Sequence, residues 1–206
     1  NVSNFDARDL RLDSLGKTKG SLVMNSANLS DLNISSSTIT DLQKLAAVNS
    51  GFKLQHFTGN YSDANTNLLW FNAGFNHSSH LFSLDSFFMN PALSRDSFLA
   101  KQSYQEDYIK LQSGAIQIGP VDINAYIKDK TIKIGTAIID QFLFTDFKDK
   151  QLPFKAGIIK PLPVNMIKEL PLRLFIETLQ LNNAHIEYTE TGEKTKKPGT
   201  IPVTRM

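Results

Sequence analysis

The chain has 206 residues, of which 41% are hydrophobic and 20% are charged, a composition that suits one globular domain or two small ones. Lys and Arg number 22 against 20 Asp and Glu, so the formal net charge of +2 provides no strong field to attract nucleic acid or an anionic membrane. The absence of cysteine excludes disulfides and thiolate metal sites, and it fits a secreted protein without bridges as well as a cytosolic one.

Alternation of apolar and polar residues, with many β-branched and aromatic side chains, dominates the sequence and predicts half-buried strands. In chain order the strand-like stretches are SLVMNSANLSDLNIS, KLQHFTGNYS, LFSLDSFFMN, IKLQSGAIQIG, TIKIGTAIIDQFLFTDFKD, LRLFIETLQL and LQLNNAHIEY. They predict a mainly β fold with antiparallel, elongated or sandwich-like sheets and a few short connecting helices. We treat residues 1–206 as a single β-rich region with a soft boundary near residues 90–95.

Three short helices are predicted between these strands. ITDLQKLAAV offers Asp41 as an N-cap, and NPALSRDSFLAKQ predicts a helix over residues 94–102 with Ser94 as its N-cap. PVNMIKEL is bracketed by Pro163 and Pro171, which fix where a third helix begins and ends.

The closing stretch LQLNNAHIEY loses its alternation at Asn182 and Asn183. Asparagine tolerates left-handed backbone, so a tight turn or a bulge is predicted here in place of one straight strand. LVMNSANLS, which begins at Leu22, has Asn and Ala in the same places, and FLFTDFKDK, which begins at Phe142, is a weaker copy. We interpret the three stretches as degenerate copies of one β-rich structural unit.

Three features carry a resemblance to a known family: the strands of IKLQSGAIQIGPVDINAYIKDKTIKIGTAIIDQFLFTDFKDK, the Pro-rich link after them, and the segment NAHIEY with its polar loop. In these features the sequence resembles the AsmA-like envelope proteins of Gram-negative bacteria, in particular forms from Bacteroidetes. The likeness covers about residues 83–195 and extends less clearly over the first forty residues. It implies a β-rich periplasmic region of a membrane-anchored protein that takes part in lipid transport and outer-membrane homeostasis. It supplies no motif from which catalytic or binding residues can be transferred.

The apolar runs, such as LLWF and AII, are far shorter than the roughly 20 residues that span a bilayer, so no transmembrane segment is predicted in this chain. The chain begins at Asn1 without a methionine and lacks the basic and apolar regions of a signal peptide. We therefore expect a processed or excised piece of a larger protein that is periplasmic or otherwise extracytoplasmic.

Histidines provide no clear metal or catalytic site. His77 and His80 have a spacing that suits metal binding on a helix, but the Gly, Asn and Ser residues around them predict a hairpin loop. His56 and His185 lie in alternating strands without carboxylates in suitable sequence positions, so we interpret them as satisfied or exposed side chains. We predict no bound metal.

Other catalytic patterns are equally weak. Glu106 with Asp107, and Asp146 with Asp149, are acids close in sequence that we interpret as solvated loop charge, because glycosidase carboxylates converge from separate strands. The sequence has no nucleophile elbow, phosphate loop or dinucleotide fingerprint, and the basic GEKTKKPG reads as a flexible exit segment. We predict no enzymatic activity, no cofactor and no nucleic-acid partner.

The aromatic content is the remaining feature, with 14 Phe against one Trp. In LLWFNAGF, LFSLDSFFMN and FLFTDF, successive aromatic residues must point to opposite faces of a sheet. One interpretation is two-layer packing, with a second sheet on one face and the short helices on the other. The other, implied by the resemblance, is an apolar groove for lipid acyl chains, with Phe82, Phe87, Phe142 and Phe144 among its lining residues.

Two classes of function therefore remain open. The first is a non-enzymatic module of an AsmA-like protein that handles lipid acyl chains or contacts other envelope proteins. The second is a surface or secreted β-sandwich that binds carbohydrate or a protein, for which Tyr61, Trp70 and Tyr104 are the natural stacking residues. A hydrolase with carboxylates in its loops is a third and weaker hypothesis.

Overall fold

The computed structural model describes residues 2–15, 19–38, 40–49, 51–154, 157, 173–193 and 197–204. The thirteen strands found there belong to one sheet. The prediction of a mainly β, mostly antiparallel fold with few short helices is confirmed. The helix predicted in PVNMIKEL lies outside the described residues.

The element bounds are as follows. The strands are β1 Val2–Leu15, β2 Gly20–Leu32, β3 Lys53–Ser62, β4 Thr66–Asn76, β5 Leu81–Leu84, β6 Ser86–Pro91, β7 Asp107–Ser113, β8 Ile116–Val121, β9 Thr131–Asp140, β10 Leu143–Asp149, β11 Arg173–Asn182, β12 His185–Thr191 and β13 Pro198–Thr204. The helices are α1 Leu42–Val48, α2 Arg95–Leu99 and α3 Ile123–Asp129.

The sheet is built around β4. One edge of β4 pairs with β3, which leads through β2 to β1, while the other edge pairs with both β5 and β6. Beyond β4 the order continues in two arms, β5-β8-β9-β11 and β6-β7-β10-β12-β13. The pairs β9 with β11 and β10 with β12 are parallel, and the other pairs are antiparallel.

The two arms are halves of the same long strands. β5 is followed at once by β6, and the same relation holds for β7 and β8, β9 and β10, and β11 and β12. Backbone hydrogen bonds continue across the interruptions, since Asp85 N donates to Phe71 O at 3.0 Å, Gly114 N to Asp140 O at 2.9 Å and Gln141 N to Asn182 O at 2.8 Å. The interruptions therefore lie on one line across the sheet, which we call the bend line.

Left-handed residues mark the bend line on most strands. The backbone φ is positive at Asp9, His56, Asn72, Gln141 and Asn183. A residue in this conformation between extended residues turns the strand and breaks its alternation. The one-to-one pairing keeps its register across the line from β9–β10 to β11–β12, so the predicted break at Asn182 and Asn183 is confirmed as a bend shared by neighbouring strands and not as a β-bulge. We call the side of the bend line that contains β5, β8, β9 and β11 the first wall, and the side that contains β6, β7, β10, β12 and β13 the second wall.

The alternation skips one residue at the bend line, so that one face stays apolar through both walls. Trp70 pairs with Phe87 in the second wall, and Ala73 pairs with Phe57, whose ring lies 5.4 Å from that of Trp70. Trp70 and Ala73 therefore share a face although they are three positions apart. The same spacing separates Leu84 from Phe87.

Burial shows that this apolar face is the inside of the bend. Ala7, Ala27, Ala73 and Ala184 lie on it along the bend line, and only 4 to 7% of their surface is exposed. Residues on the opposite face at the same line are exposed, namely Asp9, Asn25, His56, Asp85 and Gln141. We call the apolar side the inner face and the other side the outer face. Alanine fits the line because side chains from the two walls converge there.

This geometry explains the internal repeat. Two of the stretches occupy corresponding positions at the bend line. Asn25 and Ala27 lie in β2, while Asn182 ends β11 and Ala184 follows it. In these two stretches the recurring polar residues lie on the outer side of the bend and the alanine lies on its crowded inner side, so the repeat is the local signature of a strand that crosses the bend line. FLFTDFKDK is not a third copy, because its polar pair Thr145 and Asp146 lies inside β10 and away from the line.

The helices partly agree with the sequence. α2 has Ser94 as its N-cap, whose side chain accepts from Ser97 N, although the helix ends at Leu99. α1 follows Asp41, whose carboxylate accepts from Lys44 N at 3.2 Å. α3 was missed, since its residues lie between the predicted strands IKLQSGAIQIG and TIKIGTAIIDQFLFTDFKD, where no helix was predicted. The Asp122 side chain accepts from Ala125 N, and left-handed Lys130 ends the helix.

Two strands were also missed, β1 and β13, of which β13 overlaps the predicted flexible exit segment. β4 contains LLWFNAGF, which was predicted to lie in a sheet. The two-sheet sandwich is not what the described residues form, because every strand in them joins the same sheet. One sheet also runs across residues 90–95, since β6 pairs with β7.

Candidate functional site

All four predicted groove residues lie on the inner face. Phe82 is in the first wall, where it pairs with Phe75 and Ile118. Phe87 is the first inner residue of the second wall in β6.

Phe142 and Phe144 continue the face toward β12. Phe142 lies at the bend line, and its carbonyl accepts from His185 N at 2.7 Å. Phe144 pairs with Leu111 on one side and with Ile186 on the other. Leu143 pairs with Gln112 on the outer face, as alternation predicts.

The inner face contains further large side chains that the sequence did not single out. In β3 and β4 they are Leu54, Phe57, Leu68, Trp70 and Phe75. Two glycines leave room for aromatic rings, because a Cβ at Gly59 would meet Trp70 at 2.7 Å and a Cβ at Gly20 would overlap the Tyr61 ring. A sequence signal for this face does exist. Beside Asn, Asp or Gly the alternation of apolar and polar residues skips one position, and the apolar residues before and after the skip share the inner face.

Large inner-face side chains are only partly covered. Among the described residues no large side chain is fully buried, and half of the buried apolar residues are the alanines of the bend line. Phe82, Phe87, Phe142 and Phe144 are all half-buried. Apolar surface on both walls thus remains accessible.

The inner face ends in charged residues at the far end of β7, β10 and β12. Lys148 Nζ lies 2.9 Å from Asp107 Oδ1, and both side chains are largely shielded from solvent. Lys150 Nζ lies 2.6 Å from Glu190 Oε2 and, through this hydrogen bond above all, lowers the pKa of the Glu190 carboxyl. These ion pairs mark where the apolar part of the inner face ends on this part of the second wall.

Tyr188 lies between the apolar part of the inner face and these ion pairs. Burial, followed by the hydrogen bond to Glu190, raises the pKa of its phenol from 10.0 to about 12. Because the folded-state pKa is the higher one, this phenol stabilises the fold fully below pH 10, and the contribution is lost as the pH rises toward 12. We expect the difference in tyrosinate absorbance between the wild type and Tyr188→Phe to have its midpoint near pH 12. A midpoint near pH 10 would contradict the burial of this hydroxyl.

The outer face at the bend line carries a chain of polar contacts. Ser26 Oγ donates to His56 O at 2.7 Å, and His56 Nδ1 lies 2.9 Å from Asn72 Oδ1. Asn72 Nδ2 donates to Asp85 Oδ2 at 2.9 Å, and Asn182 Nδ2 donates to Asp140 Oδ1 at 2.7 Å. These contacts join neighbouring strands where the bend line interrupts the regular alternation, and His56 is satisfied within them.

The other histidines lie in a turn and in β12. Residues 77–80 form a turn, as predicted, with the His77 and His80 rings 5.3 Å apart. His185 Nε2 lies 3.5 Å from Glu187 Oε2, so the interpretation that no carboxylate in a suitable sequence position accompanies His185 is wrong. Within the described residues no group of three His, Cys, Asp or Glu side chains is arranged to hold a metal ion.

The acidic and stacking candidates do not form one site. The prediction of solvated loop charge is wrong for three of the four acids, since Asp107 lies in β7 and Asp146 and Asp149 lie in β10. Asp107 is in the ion pair with Lys148, and Asp149 Oδ1 accepts from Gln151 N at 3.0 Å. Trp70 and Tyr61 belong to the inner face, where Tyr61 also donates to Asp63 Oδ2 at 3.2 Å. Tyr104 lies instead in the loop after α2. The Phe98 ring of α2 lies 5.3 Å from the ring of Tyr108, which is on the outer face.

Comparison with known proteins gives no match: no family model fits the chain, and no curated protein or solved structure is similar to it. In the described part of the chain, none of the helices combines the length and apolar character needed to cross a membrane.

Proposed function

We propose that this chain is a non-enzymatic β module that holds lipid acyl chains against its inner face, as part of a periplasmic or otherwise extracytoplasmic protein of the AsmA-like kind. The observation that carries the proposal is the continuity of the apolar inner face through the bend line, with large side chains on both walls left half-buried. The resemblance in residues 83–195 supports the envelope setting and a role in lipid transport.

Acyl chains suit this surface for a physical reason. Each buried methylene contributes about 0.8 kcal/mol, and the contact needs no directional polar partner. The inner face offers aromatic and aliphatic side chains from successive strands, including Phe75, Phe82, Phe87, Leu111 and Phe144. Contiguous exposed apolar surface on a soluble protein marks a site of lipid or protein contact.

The proposal is tested by lipid retention. Wild-type protein purified without detergent is expected to carry fatty acid or phospholipid in native mass spectrometry. Phe144→Asp places a carboxylate on the inner face between Leu111 and Ile186, and we expect it to lose most of the bound lipid. Thr145→Asp is the matched control, because Thr145 is the next residue of β10 and points to the outer face.

Melting curves of both variants complete the experiment. On an accessible inner face, Phe144→Asp stays folded and differs from Thr145→Asp mainly in lipid content. A lipid-free wild type together with an unfolded Phe144→Asp variant would mean that the inner face is a closed core, and only a structural role would then remain.

A further inference from the structure

Within the described part of the chain, β1 is a long edge strand of the sheet. It has 14 residues and pairs only with β2 among the described elements. It contains neither Pro nor Gly, whereas β13 at the other end carries Pro198 and Pro202, which cannot donate to a further strand. Phe5, Leu10 and Leu12 of β1 are 50%, 51% and 56% exposed, although they lie on the apolar inner face.

A strand added to β1 has to cross the bend line where β1 does. In β1 the two consecutive outer residues at the bend line are Arg8 and Asp9, which lie between inner residues Ala7 and Leu10. β2 obeys this rule, since Ala7 pairs with Ala27 and Leu10 pairs with Met24. Any partner strand must likewise place two outer residues opposite Arg8 and Asp9.

β1 of a second copy meets this requirement in one antiparallel register. A two-fold axis between Arg8 and Asp9, which is also the midpoint of the strand, brings Arg8 opposite Asp9 of the second copy. The same register places Phe5 opposite Leu12 and Ala7 opposite Leu10, so inner residues face inner residues. The exposed apolar side chains of β1 then cover one another.

The charges of the outer face agree with this register. Asp6 comes opposite Arg11 of the second copy, and Arg8 opposite Asp9, which gives oppositely charged pairs on both sides of the axis. In the single chain Arg11 Nε contacts Asp13 Oδ1 at 2.9 Å in a highly exposed pair, which is a weak competitor. Asp6 Oδ1 accepts from Asn28 Nδ2 at 2.6 Å and keeps its second oxygen for the new contact.

We propose that two copies of this chain associate through their β1 strands, antiparallel and with Arg8 opposite Asp9, so that the bent sheet and its apolar inner face continue from one copy into the other. Self-complementary apolar and charged residues in a single register carry the inference. It goes beyond the proposed lipid function and does not depend on it.

Charge exchange tests the register. Wild-type protein is expected to sediment as a dimer at micromolar concentration. Asp6→Arg and Arg11→Asp each create two like-charge contacts by symmetry, so we expect either variant alone to raise the dimer dissociation constant about tenfold. A mixture of the two variants, and the double variant Asp6→Arg/Arg11→Asp, restore opposite charges and are expected to dimerise like the wild type.

A disulfide trap gives a measurement that does not depend on weakened binding. Since the natural chain has no cysteine, Asp6→Cys/Arg11→Cys is expected to form a covalent dimer under mild oxidation. In Asp6→Cys/Asp13→Cys the thiols are offset by two residues, about 7 Å along the strand, and we expect little cross-linking. Three results would each overturn the proposal: a monomeric wild type, a dimer dissociation constant that the charge changes leave unaltered, or equal cross-linking of the two cysteine pairs.

Discussion

Replacing Ala73 with phenylalanine is expected to destabilise the fold strongly. Ala73 is 4% exposed and lies on the inner side of the bend line, where the two walls converge. A large side chain has no space there unless the walls open, and overpacking of this kind costs about 1–3 kcal/mol, occasionally more. We expect a loss near 3 kcal/mol in the free energy of unfolding, which corresponds to a fall in Tm of about 6–12 °C for a domain of this size.

Ser83→Phe is the matched control for this change. Ser83 pairs with Gly74 in the neighbouring strand, lies on the outer face and is exposed. Substitutions at such surface positions usually change stability by less than about 0.5 kcal/mol. If Ala73→Phe melted at the same temperature as Ser83→Phe, the convergence of the two walls at the alanines would be wrong.

The strand content of this protein is readable from its sequence because alternation is a local property. KLQHFTGNYS corresponds to β3 as it stands, and TIKIGTAIIDQFLFTDFKD covers β9 and β10. Asn182 and Asn183 also signalled a break in the strand, since asparagine tolerates the left-handed backbone that Asn183 adopts. Local chemistry therefore predicts both the strands and some of their interruptions.

The alignment of those interruptions is not a local property. β1 was missed because its apolar residues change phase between Ala7 and Leu10, which weakens the alternation when the strand is read alone. The bend line appears only when pairing places Asp9, Asn72 and Asn183 on one line across the sheet. The assignment of Phe82 and Phe144 to one common face depends on that pairing too.

α3 shows how pairing context also limits the prediction of helices. Its seven residues follow the strand-like IQIGPV, and its sequence contains β-branched and aromatic residues that also suit a strand. The Asp122 cap and the left-handed Lys130 that ends the helix decide the local structure. Capping residues in short connections thus carry more information than the apolar pattern around them.

Trp70 offers a direct probe of the inner face. It is the only tryptophan in the chain, and it lies on the inner face of the second wall against Phe57. An acyl chain bound there brings its midsection close to the indole. We expect a fatty acid brominated in the middle of its chain, added below its micelle concentration, to quench most of the Trp70 fluorescence, while the unbrominated fatty acid leaves it unquenched.

The control moves the fluorophore by one residue to the other face. Phe71 pairs with Ser86 on the outer face and is 41% exposed, so Trp70→Phe/Phe71→Trp reports from outside the proposed groove. Strong quenching of the wild type with weak quenching of this variant is the result expected for acyl chains held on the inner face. Equal quenching of both proteins, or none in the wild type at concentrations where lipid is bound, would contradict that claim.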